Sequence, residues 1–242
     1  MALPRDYDPI FNRYRGEMPV EILRALARGE SNFNPSLVHA SGSKARGLLQ
    51  VTTVVLESYN KEHPGATLTA GDMLDPDDNV RVACWHLNRL VAAYSSSGYP
   101  DLVPNWSSPR WVLLFILGWN AGHSRAAGVQ YMVAWLHGKH PLVDLPPPLW
   151  IVDLVIPDKQ VLAAGQMATG DLVVEYAAEA KAASTLRPPT GPAKLAWCKR
   201  VLGWYGAELG AVAPDSSTTG AGGFPWGLLL LLFALSRRKR RR

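Results

Sequence analysis

The chain has 242 residues, 48% of them hydrophobic, which is enough for one well-filled core with extensions. Its net charge of +5 misleads, because RRKRRR at 237–242 holds six of the 25 Lys and Arg; the remainder carries 19 bases against 20 acids. A near-neutral body speaks against a nucleic-acid partner, and two cysteines with no CxxC and six scattered histidines give neither a metal site nor a cofactor site.

Residues 1–15 are polar and aromatic and carry no chemistry of their own; they read as an edge segment. The stretch MALPRDYDPIFNRYRGEMP lacks an apolar run and is dotted with charge, so it does not read as a secretory signal. Pro19 then suits a first helical turn, and Glu21 favours the helix dipole there. Val20, Leu23, Leu26 and Ala27 recur at helical spacing, which predicts a helix over 19–30. Glu30 continues that apolar stripe, and Gly29 with the Asn32–Pro35 run is expected to break the helix there. A carboxyl on a core-facing stripe loses water, and its pKa rises. A general acid working near neutral pH needs that shift. The same position also suits a structural carboxylate that snorkels or pairs with Lys44, Arg46 or Arg125, and periodicity leaves both readings open.

Residues 31–46 read as loop, and a second helix is expected from about Ala45 to Tyr59. A Gly-, Pro- and Asp-rich loop follows, from His63 to Asp78. Asp75-Pro76 reads as an N-cap followed by a first-turn proline. Val80, Ala83, Cys84, Leu87, Leu90, Val91 and Tyr94 then mark a buried helix, with Cys84 a small core residue. Asp72, Asp75, Asp77 and Asp78 are better explained by capping and solvation than as a second catalytic carboxylate. Ser108-Pro109 repeats the cap signal, and WVLLFILGW at 111–119 is apolar all round, as a central helix would be. A further helix is expected over 123–138, then a proline-rich break at 142–150. Asp171–Ala183 reads as a helix, RPPTGP at 187–192 as a linker, and 194–209 as a helix whose Trp and Tyr face packs. The resulting division is 1–140 as a catalytic domain, 141–212 as a helical extension, and 213–242 as linker, apolar segment and basic tail.

Four motifs stand in order within this frame: Glu30-Ser31 with Asn34-Pro35, Gly47-Leu48-Leu49-Gln50, Asp75-Pro76 with Asn79, and Trp119-Asn120-Ala121-Gly122. Together they resemble the soluble lytic transglycosylases, whose catalytic domain is similar to goose-type lysozyme, over about residues 15–135. The resemblance implies an all-α, lysozyme-like domain, and the residues beyond it read as a helical C-terminal extension and a short apolar tail. It implies Glu30 as the sole catalytic residue, and Ser31, Leu49, Gln50, Trp119 and Asn120 as substrate contacts. Tyr176 is the candidate for a late tyrosine that bonds the catalytic carboxyl. Leu49 stands where the family has a Met, and Trp119 where it has a Tyr, which keeps an aromatic face and loses the hydroxyl. Lys44 stands where a Gly is usual.

The expected activity is cleavage of the β-1,4 bond between N-acetylmuramic acid and N-acetylglucosamine, giving 1,6-anhydromuramoyl ends. A lysozyme-type hydrolase is the near alternative, and a non-catalytic wall-binding or virion structural protein the more distant one. Peptidoglycan strands are the expected partner, and the bacterial envelope or a phage particle the expected place. In the tail, 224–235 is a twelve-residue apolar run ahead of the Arg cluster. At about 1.5 Å per residue it falls short of the ~30 Å hydrocarbon core. Arginines beside it favour an anionic lipid surface, so membrane association ranks first for the tail, ahead of a sorting signal or another secretion or virion assembly, with nucleic acid last.

Overall fold

A computed structural model describes residues 2–39, 44–122, 129, 130, 133 and 192–211. Within them lie six α-helices and no strand: α1 (Asp8–Tyr14), α2 (Val20–Glu30), α3 (Thr53–Glu62), α4 (Pro76–Ser95), α5 (Pro109–Ala121) and α6 (Pro192–Ala211). The all-α, lysozyme-like expectation therefore stands. The predicted Asp171–Ala183 helix, Tyr176, the 142–150 break and the whole of 213–242 lie outside the described residues. Among the described residues, no helix is long and apolar enough to cross a membrane.

The helix starts follow from local chemistry. Asp75 caps α4 by accepting from the backbone N–H of Asp77 and Asp78, with Pro76 in the first turn. Ser108 caps α5 by accepting from the Trp111 N–H, again followed by proline. Thr52 caps α3 through the Val55 N–H. Each side-chain oxygen satisfies an amide that the helix itself leaves without a partner.

The core is built on α5. From Val112 to Leu117 each residue is at most 1% exposed, as an all-round apolar helix must be when other elements surround it. Ile22, Leu23, Leu26 and Ala27 of α2 and Val80, Ala83, Cys84, Leu87 and Leu90 of α4 pack into the same cluster. Each Val, Leu and Ile side chain among them contributes roughly 1.5–3 kcal/mol by leaving water. Tyr94 is fully buried, and its hydroxyl donates to the Leu114 carbonyl at 3.0 Å, fastening α4 to α5. Cys84 and Cys198 are both buried.

One element departs from the sequence-based reading. The second helix spans Thr53–Glu62 rather than Ala45–Tyr59. The missing first turns are a folded loop. Antiparallel bridges join Val38 to Arg46 and Arg46 to Val51, and Gly47 and Gln50 take positive φ of 78° and 48°. Left-handed residues cannot continue a right-handed helix. The helix expected over 194–209 spans Pro192–Ala211 as α6, and it packs against α2 and α5.

Candidate active site

The site begins at the C-terminal end of α2. Ser31 caps that end, and Asn32 and Phe33 turn the chain away with φ of 54° and 62°. The Phe33 amide returns to the Ala27 carbonyl at 3.3 Å. Glu30 is therefore the last helical residue, held on a rigid turn and aimed from the end of a packed helix.

Its carboxyl meets α5. The indole Nε1 of Trp119 donates to Glu30 Oε1 at 2.6 Å. Trp119 sits near the end of α5, 89 residues away in sequence, so the tertiary fold rather than local sequence creates the pair. Burial lifts the Glu30 carboxyl from an ordinary 4.5 to about 7; the Trp119 N–H pulls the other way, because it favours the carboxylate. Burial prevails. Glu30 as a residue is nonetheless only partly covered, so its environment combines desolvation with access. Near neutral pH about half of such a group carries its proton.

The structural alternative for Glu30 was an ion pair. Among the described residues no Lys or Arg pairs with it: Lys44 is exposed and Arg46 makes no salt bridge, while Arg125 lies outside those residues. Nor does a second carboxylate join it. Asp72 binds the Thr69 amide and hydroxyl, Asp75 caps α4, Asp77 accepts from Arg13 at 2.5 Å and from the Tyr14 hydroxyl at 2.6 Å, and Asp78 pairs with Arg81. No group of His, Cys, Asp and Glu among the described residues is arranged to hold a metal ion.

The other expected contacts divide into two sets. Trp119 and Asn120 are both partly exposed, Trp119 bonded to Glu30 and Asn120 the next residue of α5. Ser31, Leu49 and Gln50 are buried, at 5%, 0% and 5% exposure. Ser31 Oγ donates to the Leu48 carbonyl at 2.8 Å, tying the end of α2 to the 44–51 loop. The Leu49 side chain is core. Gln50 Nε2 donates to the Gly47 carbonyl at 2.8 Å and the Leu37 carbonyl at 3.1 Å, which holds the residue in its left-handed conformation, while its buried Oε1 accepts from no donor among the described residues. These three residues thus shape the loop from behind rather than presenting surface to a ligand.

Asn79 organises that loop. It is fully buried, accepts from the Leu49 N–H at 2.8 Å through Oδ1, and donates through Nδ2 to the carbonyls of Arg46 and Met73 at 2.9 and 3.0 Å. Gly47 lies against it: a Cβ there would collide with the Met73 carbonyl and the Asn79 amide, and its φ also suits glycine. An asparagine in the first turn of a helix is an ordinary sight, so nothing but the motif marked Asn79 in the sequence.

Comparison with known proteins agrees with this geometry. The profile of the family described as "Transglycosylase SLT domain" matches residues 9–135. Similar curated proteins include the membrane-bound lytic murein transglycosylase F of Serratia proteamaculans (strain 568), 29% identical over 118 residues, covering 47% of this chain and 20% of that protein. The proteins of the same name from Yersinia enterocolitica and Haemophilus influenzae (strain 86-028NP) are 28% and 25% identical over 98 and 96 residues, each covering 40% of this chain and 17% of theirs. The chain therefore spans about a fifth or less of the length of these relatives. No solved structure is a significant match. With over half its length matched, and the α2 carboxyl, the 44–51 loop and the end of α5 all inside that match, this chain belongs to the transglycosylase SLT domain family.

Proposed function

We propose that this chain cleaves the glycan strands of peptidoglycan at the β-1,4 bond between N-acetylmuramic acid and N-acetylglucosamine, without consuming water. The observation that supports it is a single carboxyl, lifted by burial to about 7, partly accessible, and with no second carboxylate beside it among the described residues.

Glycosidases that use water or an enzyme nucleophile need two carboxyl groups at set separations. A lone acid suits a substrate that supplies its own nucleophile. Protonated Glu30 gives its proton to the glycosidic oxygen as the bond from C1 to that oxygen breaks. The muramoyl residue passes through an oxocarbenium-like state, stabilised by its own N-acetyl group, which Asn120 orients. Glu30, now a carboxylate, takes the proton from the 6-hydroxyl as O6 closes on C1. The products are a free N-acetylglucosamine end and a 1,6-anhydromuramoyl end, and Glu30 regains its proton. Because nucleophile and electrophile belong to one sugar, effective molarity contributes what a second protein carboxylate contributes elsewhere. The Trp119 N–H steadies the carboxylate in the middle of the cycle, when the charge is present.

Mass spectrometry of the fragments released from purified sacculi tests this reading. Anhydro ends from the parent chain, and at least about a hundredfold fewer fragments from Glu30→Gln, are expected. Reducing ends in place of anhydro ends mean hydrolysis and contradict it.

A further inference from the structure

Helix α6 lies outside the matched residues 9–135, and yet it packs on both helices that form the Glu30–Trp119 pair. It is fastened to α2 at two places. At one, the Arg24 guanidinium, almost fully buried, donates to Glu208 Oε2 at 3.0 Å and to both Asp8 oxygens at 2.7 Å. Glu208 Oε1 accepts from the Leu3 backbone N–H at 2.8 Å, so residues 205 apart in sequence meet on one helix.

The other fastening is at the catalytic end. The Trp197 indole Nε1 donates to the Gly29 carbonyl at 3.1 Å. That carbonyl is among the last four of α2, which have no partner inside their own helix. It also belongs to the peptide bond whose nitrogen is that of Glu30. A donor fixed on it therefore fixes the plane from which the Glu30 side chain departs. Gly29 admits the close approach: a Cβ there would stand 2.7 Å from Val201 Cγ2 and 3.1 Å from the Trp197 ring. A glycine inside a helix costs about 1 kcal/mol relative to alanine, and here the absent side chain is what lets α6 reach the backbone. Arg28, one residue earlier, lies 5.9 Å over the Trp204 ring, so α6 grips the last turn of α2 on more than one side.

We propose that α6 is part of the catalytic unit and that Trp197 is a positioning residue for Glu30, holding the Gly29–Glu30 peptide so that the carboxyl stays within reach of the Trp119 indole. This rests on the reading of Glu30 as the proton donor. The requirement is a strict one, because misplacing a reacting group by about 1 Å costs about a hundredfold in rate.

The test uses the full chain and three variants. Trp197→Phe keeps the ring and removes the N–H. Glu208→Gln loosens the remote fastening, and Trp119→Phe assigns the Trp119 indole resonance. In Trp197→Phe, kcat is expected to fall about tenfold or more with KM within about twofold, and the Trp119 indole proton to exchange with solvent about tenfold faster. Glu208→Gln is expected to lower the unfolding midpoint while keeping both kcat and the protection of that indole proton. Unchanged kcat or unchanged protection in Trp197→Phe overturns the proposal, as does a fall in kcat that only follows the folded fraction. The exchange measurement does not depend on activity. If the parent chain releases no fragments, the reading of Glu30 fails, and indole exchange still decides whether Trp197 holds the pair.

Discussion

At the scale of the residue, the Glu30 carboxyl responds to two opposed influences of unequal size. Burial raises its pKa, and the 2.6 Å bond from Trp119 lowers it. Removing the donor leaves burial unopposed. Trp119→Phe is therefore expected to move the alkaline limb of the kcat/KM–pH profile upward by about one to two units, the equivalent of one hydrogen bond to a charged group. A limb that stays in place, or moves down, means the indole does not act on the carboxyl. Glu30 was legible in the sequence because its place on an apolar stripe implied desolvation directly. The indole bond was not, since a Trp in place of the family's Tyr reads as the loss of a hydroxyl donor, and periodicity cannot show that the ring N–H replaces it. The buried roles of Ser31, Leu49 and Gln50 were hidden for a similar reason: a motif gives an order of residues, not the side of the wall on which each one stands.

At the scale of the element, the 44–51 loop is where the reading of the sequence and the structure part. Ala45, Leu48, Leu49 and Val51 have the apolar character of a helix start, and all four are buried. What forbids a helix is the backbone at Gly47 and Gln50, and the three hydrogen bonds of Asn79, none of which is encoded as a local propensity. Helices α2, α4 and α5 were legible because caps, prolines and stripes agree there. Asn79→Ala is expected to lower stability by about 2–4 kcal/mol in a denaturant titration, since it leaves the Leu49 N–H and the Met73 carbonyl without partners, while the Arg46 carbonyl keeps the Val51 N–H. Asn79→Asp is expected to rescue little, because a carboxylate has no N–H for the carbonyls of Arg46 and Met73. A loss below about 1 kcal/mol for Asn79→Ala would show that the loop holds itself.

At the scale of the whole molecule, the raised pKa of Glu30 is a cost carried by the fold. Folding takes the group from 4.5 to about 7, so the native state binds more protons than the unfolded chain between those values. Stability associated with the protonated group is fully present below 4.5 and is lost as pH rises through about 7. Above that pH the shift corresponds to a few kcal/mol, about 1.4 per unit. Glu30→Gln has no charge to desolvate and keeps an acceptor for Trp119. It is expected to be more stable than the parent at pH 8 by up to about 3 kcal/mol and equal to it at pH 4, as read from paired denaturation curves. A variant less stable than the parent at pH 8 would mean that the carboxylate supports the fold. The partners of α6 were the least legible feature of all. The sequence predicts a helix with a packing face over 194–209, and nothing local to it names α2 and α5 as what that face meets. Long-range packing of this kind leaves one faint local trace, a glycine kept inside a helix at position 29.

The central claim is that one carboxyl holds its proton near neutral pH, and a carbon-13 titration of the glutamate side chains measures it directly, with Glu30→Gln identifying the resonance. The account predicts a Glu30 midpoint of about 7; a midpoint near 4.5, the value of an ordinary solvated carboxyl, would contradict it.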